Sequence, residues 1–108
     1  MIEKLNNELI NIINEGEGIT TEFKEASNRL PRNLFETVCA FLNRNGGNIF
    51  LGVSDRGEII GVNQEKISTI KKDFVNLCNN PEKIEPTIYL NINEYEINDK
   101  VILLKGII

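Results

Sequence analysis

An α+β domain, with a mixed β-sheet and about three helices packed against it, is the fold class this sequence predicts. Three observations carry the prediction. Short apolar runs of strand length alternate with longer stretches of helical period. Clusters of glycine and asparagine separate them. Hydrophobic residues make up 41% of the chain, an ordinary fraction for a packed core. At 108 residues the chain is read as a single domain spanning residues 1–108.

The elements follow in order. Leu5, Leu9, Ile12 and Ile13 recur at helical spacing, which predicts an amphipathic first helix over residues 3–14. Glu15-Gly16-Glu17-Gly18 breaks it. From Ile19 to Glu25 the pattern alternates, predicting a half-buried strand with Ile19, Thr21 and Phe23 on the inner face. Residues 26–33 form a polar loop, with Pro31 placed to open the next helix. Leu34, Val38, Phe41 and Leu42 give that second helix one apolar stripe.

The segment from Phe41 to Val62 organises the rest. Asn45-Gly46-Gly47 ends the second helix, since glycine adopts the left-handed conformation of a helix C-terminus. Ile49 to Val53 is a strand covered on both faces, Ser54-Asp55-Arg56-Gly57 a turn, and Glu58 to Val62 a returning strand that makes a hairpin with the first. Asn63 is the expected N-cap of a third helix whose inner stripe is Ile67, Ile70, Phe74, Leu77 and Cys78. Asn79-Asn80-Pro81 stops it. A strand over Thr87–Ile92, a turn at Asn98-Asp99-Lys100 and a final apolar strand over Val101–Ile108 complete the reading. That last strand runs flush to the end, which predicts an N-terminal fragment of a longer protein with a missing C-terminal region.

Composition excludes several chemistries. There is no histidine, so histidine-based triads and histidine-ligated zinc are ruled out. Cys39 and Cys78 lie in predicted helices without metal-binding spacing and read as buried free thiols. No Walker A pattern accompanies Gly46-Gly47, which follows a helix instead of opening one. No apolar run reaches the roughly 20 residues of a membrane span, and no signal peptide is visible; no membrane association and a cytoplasmic location are expected. Net charge is −4. All four arginines nevertheless fall between residues 29 and 56, and Lys24 to Arg56 carries a local balance of +2. Arginine suits phosphate because its planar fork engages two oxygens at once. Lys24, Arg29, Arg32, Arg44 and Arg56 are therefore the candidate nucleic-acid contacts; solvated surface charge is the other reading.

Glu17, Glu22 and Asp55 are the candidate catalytic and metal-ligating residues. If the first strand and the hairpin share a sheet, these carboxylates converge, and hard oxygen donors suit Mg²⁺ or Mn²⁺ in phosphodiester cleavage. Taken singly, each also reads as a solvated or turn-forming acid.

Glu17 followed by Thr21-Glu22-Phe23-Lys24-Glu25, then Ala40-Phe41-Leu42-Asn43, Gly46-Gly47, Leu51-Gly52-Val53, Asp55, Gly57 and Ile60-Gly61-Val62, resembles the Schlafen/AlbA-type DNA-binding domain. The resemblance runs through the whole chain in order, with Leu42 departing from the family's usual alanine. It implies a nucleic-acid-binding module, for DNA ahead of RNA, at the N-terminus of a RecG-like transcriptional regulator. It also implies an alternative, since relatives in animals cut RNA with two glutamates and an aspartate whose motif positions match Glu17, Glu22 and Asp55. On that alternative the cofactor is Mg or Mn; otherwise none is expected. A third expectation is an interaction module, such as a homodimer formed through an exposed strand.

Overall fold

The computed structural model of the chain describes residues 2–78 and 92–107, with side chains from residue 6 onward. Helix α1 spans Ile2–Glu15, strand β1 Thr21–Lys24, helix α2 Leu34–Leu42 and strand β2 Gly47–Leu51. A 3₁₀ turn at Gln64–Lys66 leads into helix α3, Ile67–Cys78; strands β3, Asn93–Ile97, and β4, Lys100–Ile107, follow. The four strands form one mixed sheet in the order β1-β2-β4-β3. β1 and β2 are parallel, with Glu22 opposite Ile49 and Lys24 opposite Leu51, and the remaining pairs are antiparallel. The architecture is the expected α+β one.

Strand alternation divides the core into two. Ile49, Leu51, Leu103 and Ile107 pack with Leu34, Val38 and Phe41 of α2 and with Ile70, Phe74 and Cys78 of α3. Phe23, Phe50, Val53, Ile97 and Ile102 instead meet Leu9 and Ile13 of α1. The sheet is thus sandwiched between α1 on one face and α2 with α3 on the other. Phe23 and Phe50, opposite one another in the register, meet edge to face at 5.9 Å. Both cysteines are free; Cys78 is buried and Cys39 half-buried. Lys105 is also buried on the α2/α3 side. Burial lowers its proton affinity, and burial likewise pushes the Cys78 thiol up to about 11.

Several boundaries differ from the sequence expectation. β1 starts at Thr21, and Ile19, expected on the inner face, is 72% exposed. The Gly18 N–H donates to the Thr21 carbonyl, so the chain turns back here instead of extending β1. α2 starts at Leu34, three residues beyond Pro31, whose carbonyl accepts from the Leu34 N–H. The Glu58–Val62 strand reduces to a single bridge between Val53 and Ile59. Gly52 and Gly61, at φ of 96° and 88°, take the chain out of extended geometry on both sides of the turn. The Gly61 N–H returns to the Gly52 carbonyl, while the Val62 N–H crosses to Val101. Asn63 caps the 3₁₀ turn, its side chain accepting from the Glu65 N–H, and so starts α3 one turn late. β3 was not foreseen: the turn at Asn98-Asp99, with both residues at positive φ, joins β4 to Asn93–Ile97. The expected strand over Thr87–Ile92 and the stop at Asn79-Asn80-Pro81 lie outside the described residues, Ile92 apart.

Candidate functional site

The parallel pairing of β1 and β2 sets the site, because it gives the two strands common ends. The loop that follows β1 and the turn that follows β2 leave the same, C-terminal end of the pair. In open sheets with parallel strands, this end is where ligands are usually received. Arg29 and Arg32 lie on the first connection and Arg56 on the second, all three exposed. Arg44 is exposed as well, but it sits in the turn before β2. The length of the strand, roughly 13 Å at about 3.3 Å per residue, separates it from the other three.

Lys24 is differently placed. Its side chain is only 10% exposed, with Nζ 3.3 Å from Glu22 Oε1. The same ammonium donates to Asn33 Oδ1 at 3.1 Å. Glu22 and Lys24 share a strand face by the two-residue repeat, which is why the pair forms.

The structure brings Glu17 within electrostatic reach of both Glu22 and Asp55. Glu17 holds its proton more tightly than an ordinary glutamate, first through partial desolvation, then through a hydrogen bond to Glu22 that requires the proton, then through the charges of Glu22 and Asp55. A hydrogen bond from the Phe23 backbone N–H works the other way. Because the chain turns back at Gly18, Glu17 lies along β1 beside Phe23 instead of ahead of the strand. Asp55 stands at the head of the turn after β2, where Ser54 organises the backbone. Buried Ser54 Oγ accepts from the N–H groups of Arg56 (3.3 Å) and Glu58 (3.1 Å). An open depression of about 310 Å³ runs beside it, lined by Glu25, Ser54, Asp55, Arg56, Glu58 and Ile60.

This donor set is all oxygen, the chemistry that Mg²⁺ or Mn²⁺ prefers, and a cation would relieve the repulsion felt at Glu17. Among the described residues, however, no three His, Cys, Asp or Glu side chains stand close enough to hold one ion. The Lys24 ammonium already neutralises part of Glu22.

Two participants escaped the sequence reading. Asn33, before the apolar stripe of α2, carries the signal of an N-cap, yet its side chain makes no capping bond and receives Lys24 instead. Ser54 was read only as turn chemistry; a serine followed by Asp-Arg-Gly is also the signature of a side-chain-to-backbone turn. Among the described residues, no helix is long and apolar enough to cross a membrane.

A comparison with curated proteins finds no match. Among solved structures, the chain is similar to the N-terminal domain of a RecG-related protein from Nitrosomonas europaea. The TM-score is 0.68 at 20% identity, covering 94% of this chain and 71% of that one, a likeness of fold. The profile of the family described as Schlafen, AlbA_2 matches residues 17–107, from the first carboxylate of the site to the last residue of β4. On that span, the chain belongs to the Schlafen, AlbA_2 family.

Proposed function

We propose that this domain binds nucleic acid through the phosphate backbone, duplex DNA ahead of RNA, as the contacting module of a longer regulator. The observation that carries the reading is the presence of exposed Arg29, Arg32 and Arg56 on two connections leaving one end of the β1/β2 pair. Guanidinium groups spread over two loops can follow successive phosphates, and contacts of this kind fix position without reading sequence. The family membership and the RecG-related origin of the similar domain support the nucleic-acid context. Arg44, at the other end of the pair, takes no part, and Lys24 is engaged within the fold. With a net charge of −4, affinity is expected to be modest and to need low salt.

The test is binding of labelled duplex DNA across a salt series. Phosphate contact makes log affinity fall against log salt by about 0.9 per contacted phosphate. A flat dependence, or unchanged affinity in both Arg32→Ala and Arg56→Ala, overturns the reading.

A second reading has its own observation, the effect of Glu22 and Asp55 on Glu17. The three side chains do not stand close enough to share one ion as placed, so on this reading they would have to draw together around Mg²⁺ or Mn²⁺, which when bound polarises a phosphoryl oxygen and eases deprotonation of water. The part played by the chain is then to orient the three carboxylates, with the arginines steadying the flanking phosphates. Incubation of structured RNA and of DNA with Mn²⁺ or with EDTA, read on denaturing gels, decides it. Metal-dependent fragments that vanish in Glu22→Ala establish cleavage; intact substrate in every lane dismisses it.

A further inference from the structure

We infer that Lys24 and Asn33 are positioning residues: together they close the arginine-bearing loop at its base and tie it to the carboxylates. The loop between them carries Arg29 and Arg32. On the β1 side it is anchored where the Asn63 N–H donates to the Ser27 carbonyl (2.8 Å) and the Asn63 side chain donates to Asn28 Oδ1 (3.3 Å). Ala26, buried at a φ of 33°, fixes the bend that begins it. Between the arginines Leu30 packs against the core, and beyond them, on the α2 side, Lys24 Nζ reaches across to Asn33 Oδ1 at 3.1 Å.

The behaviour of Asn33 singles this contact out. Asparagine ahead of a helix is among the best N-caps, because its oxygen can satisfy a free N–H of the first turn. At α2 that bond is not made, and the oxygen accepts from Lys24 instead. The same ammonium lies 3.3 Å from Glu22. One cation thus spans Glu22 and the loop, at a helix start where Asn33 makes no side-chain cap. The tie stands on geometry alone; its role in presenting Arg29 and Arg32 to phosphate rests on the reading proposed above.

The experiment uses trypsin on the folded domain, following cleavage of the Arg29–Leu30 bond by mass, alongside duplex binding across salt. An exposed hydrogen bond, at the modest end of the usual range, holds back loop opening by about three- to five-fold. Lys24→Met and Asn33→Ala should each speed cleavage by that factor, and the double variant no further, since both remove one contact. Asn33→Asp keeps an acceptor and should cleave no faster than the parent. Both single variants should lose affinity by a similar factor, although Asn33 carries no charge. If Asn33→Ala matches the parent in cleavage and affinity while Lys24→Met alone lowers the salt slope by about one, Lys24 is itself a phosphate contact and the inference falls. Faster cleavage in both single variants of a protein that binds no duplex upholds the tie and overturns only the phosphate reading.

Discussion

The two ends of the β1/β2 pair carry the same charge chemistry and are built in opposite ways. At the N-terminal end, the turn bearing Arg44 is settled by packing. The Gly46 N–H returns to the Phe41 carbonyl at 2.8 Å, and Gly47 lies flat against the Phe41 ring. At the C-terminal end, the connections bearing Arg29, Arg32 and Arg56 are settled by polar side chains, namely Lys24, Asn33, Ser54 and Asn63. Charge near in sequence is therefore not charge near in space. Strand direction decides which arginines share an end of the pair.

The largest effect should come from the packed end. A Cβ on Gly47 would lie 2.7 to 2.9 Å from three atoms of the Phe41 ring, which is buried and cannot swing aside. Gly47→Ala should cost about 1–3 kcal/mol of stability in denaturant melts, as overpacking of a core does. Gly18→Ala, where nothing lies within 4 Å of the added carbon, is the control and should change little. A Gly47→Ala protein as stable as the parent would show that the Arg44 turn is not held by this contact.

The two ends should next separate in binding. Arg32→Ala and Arg56→Ala should each lower the salt slope for duplex DNA by about one and weaken binding at every salt. Arg44→Ala should do neither. Equal losses from all three would mean that the ligand wraps around the pair, and the distinction between its ends would be lost.

What could be read in advance follows the same division. The packed elements were legible because burial writes a period into the sequence. Leu34, Val38 and Phe41 mark α2, Ile49 to Leu51 mark β2, and Ile70 and Phe74 mark α3. The elements that failed lack that imprint. β3 reads Asn-Glu-Tyr-Glu-Ile and buries only Ile97, so its pairing with β4 comes from the turn at Asn98-Asp99 and leaves little trace in hydropathy. Glu58–Val62 has a strand's composition, but Gly52 and Gly61, both at positive φ, let the backbone leave the sheet. At the site, the residue types of Glu17, Glu22 and Asp55 were visible, and their approach was conditional on topology. The diversion of Asn33 was not visible, because a good cap and a good tether are the same side chain until the fold places a lysine nearby.

A smaller effect tests the polar end from within. Ser54→Ala removes the acceptor shared by the Arg56 and Glu58 N–H groups. The variant should lose about 1 kcal/mol in denaturant melts and bind duplex more weakly, because Arg56 and Asp55 ride on that turn. Ser54→Thr keeps the hydroxyl and should recover much of the binding. An alanine variant indistinguishable from the parent would assign the turn to the Gly57 N–H bond to the Ser54 carbonyl instead.

The smallest effect concerns Glu17, and its sign is fixed by linkage. The folded-state pKa of Glu17 is raised above its ordinary 4.5, so the folded protein retains a proton that the unfolded chain releases. The stabilisation this brings is fully present below the unfolded pKa and is lost as pH rises through the folded one. At about pH 7 the ionised carboxylate meets the charges of Glu22 and Asp55, offset only in part by the Phe23 N–H, and Glu17→Gln should melt slightly higher than the parent. As pH falls to about 4 that advantage should disappear, because the parent regains its proton and its bond to Glu22. Mn²⁺ at about pH 7 supplies a second route to the same end if the carboxylates hold a cation, raising the melting temperature of the parent more than that of the variant. A variant whose advantage ignores both pH and Mn²⁺ would mean that Glu17 faces its neighbours across solvent, with the carboxylates acting as three separate charges instead of one site.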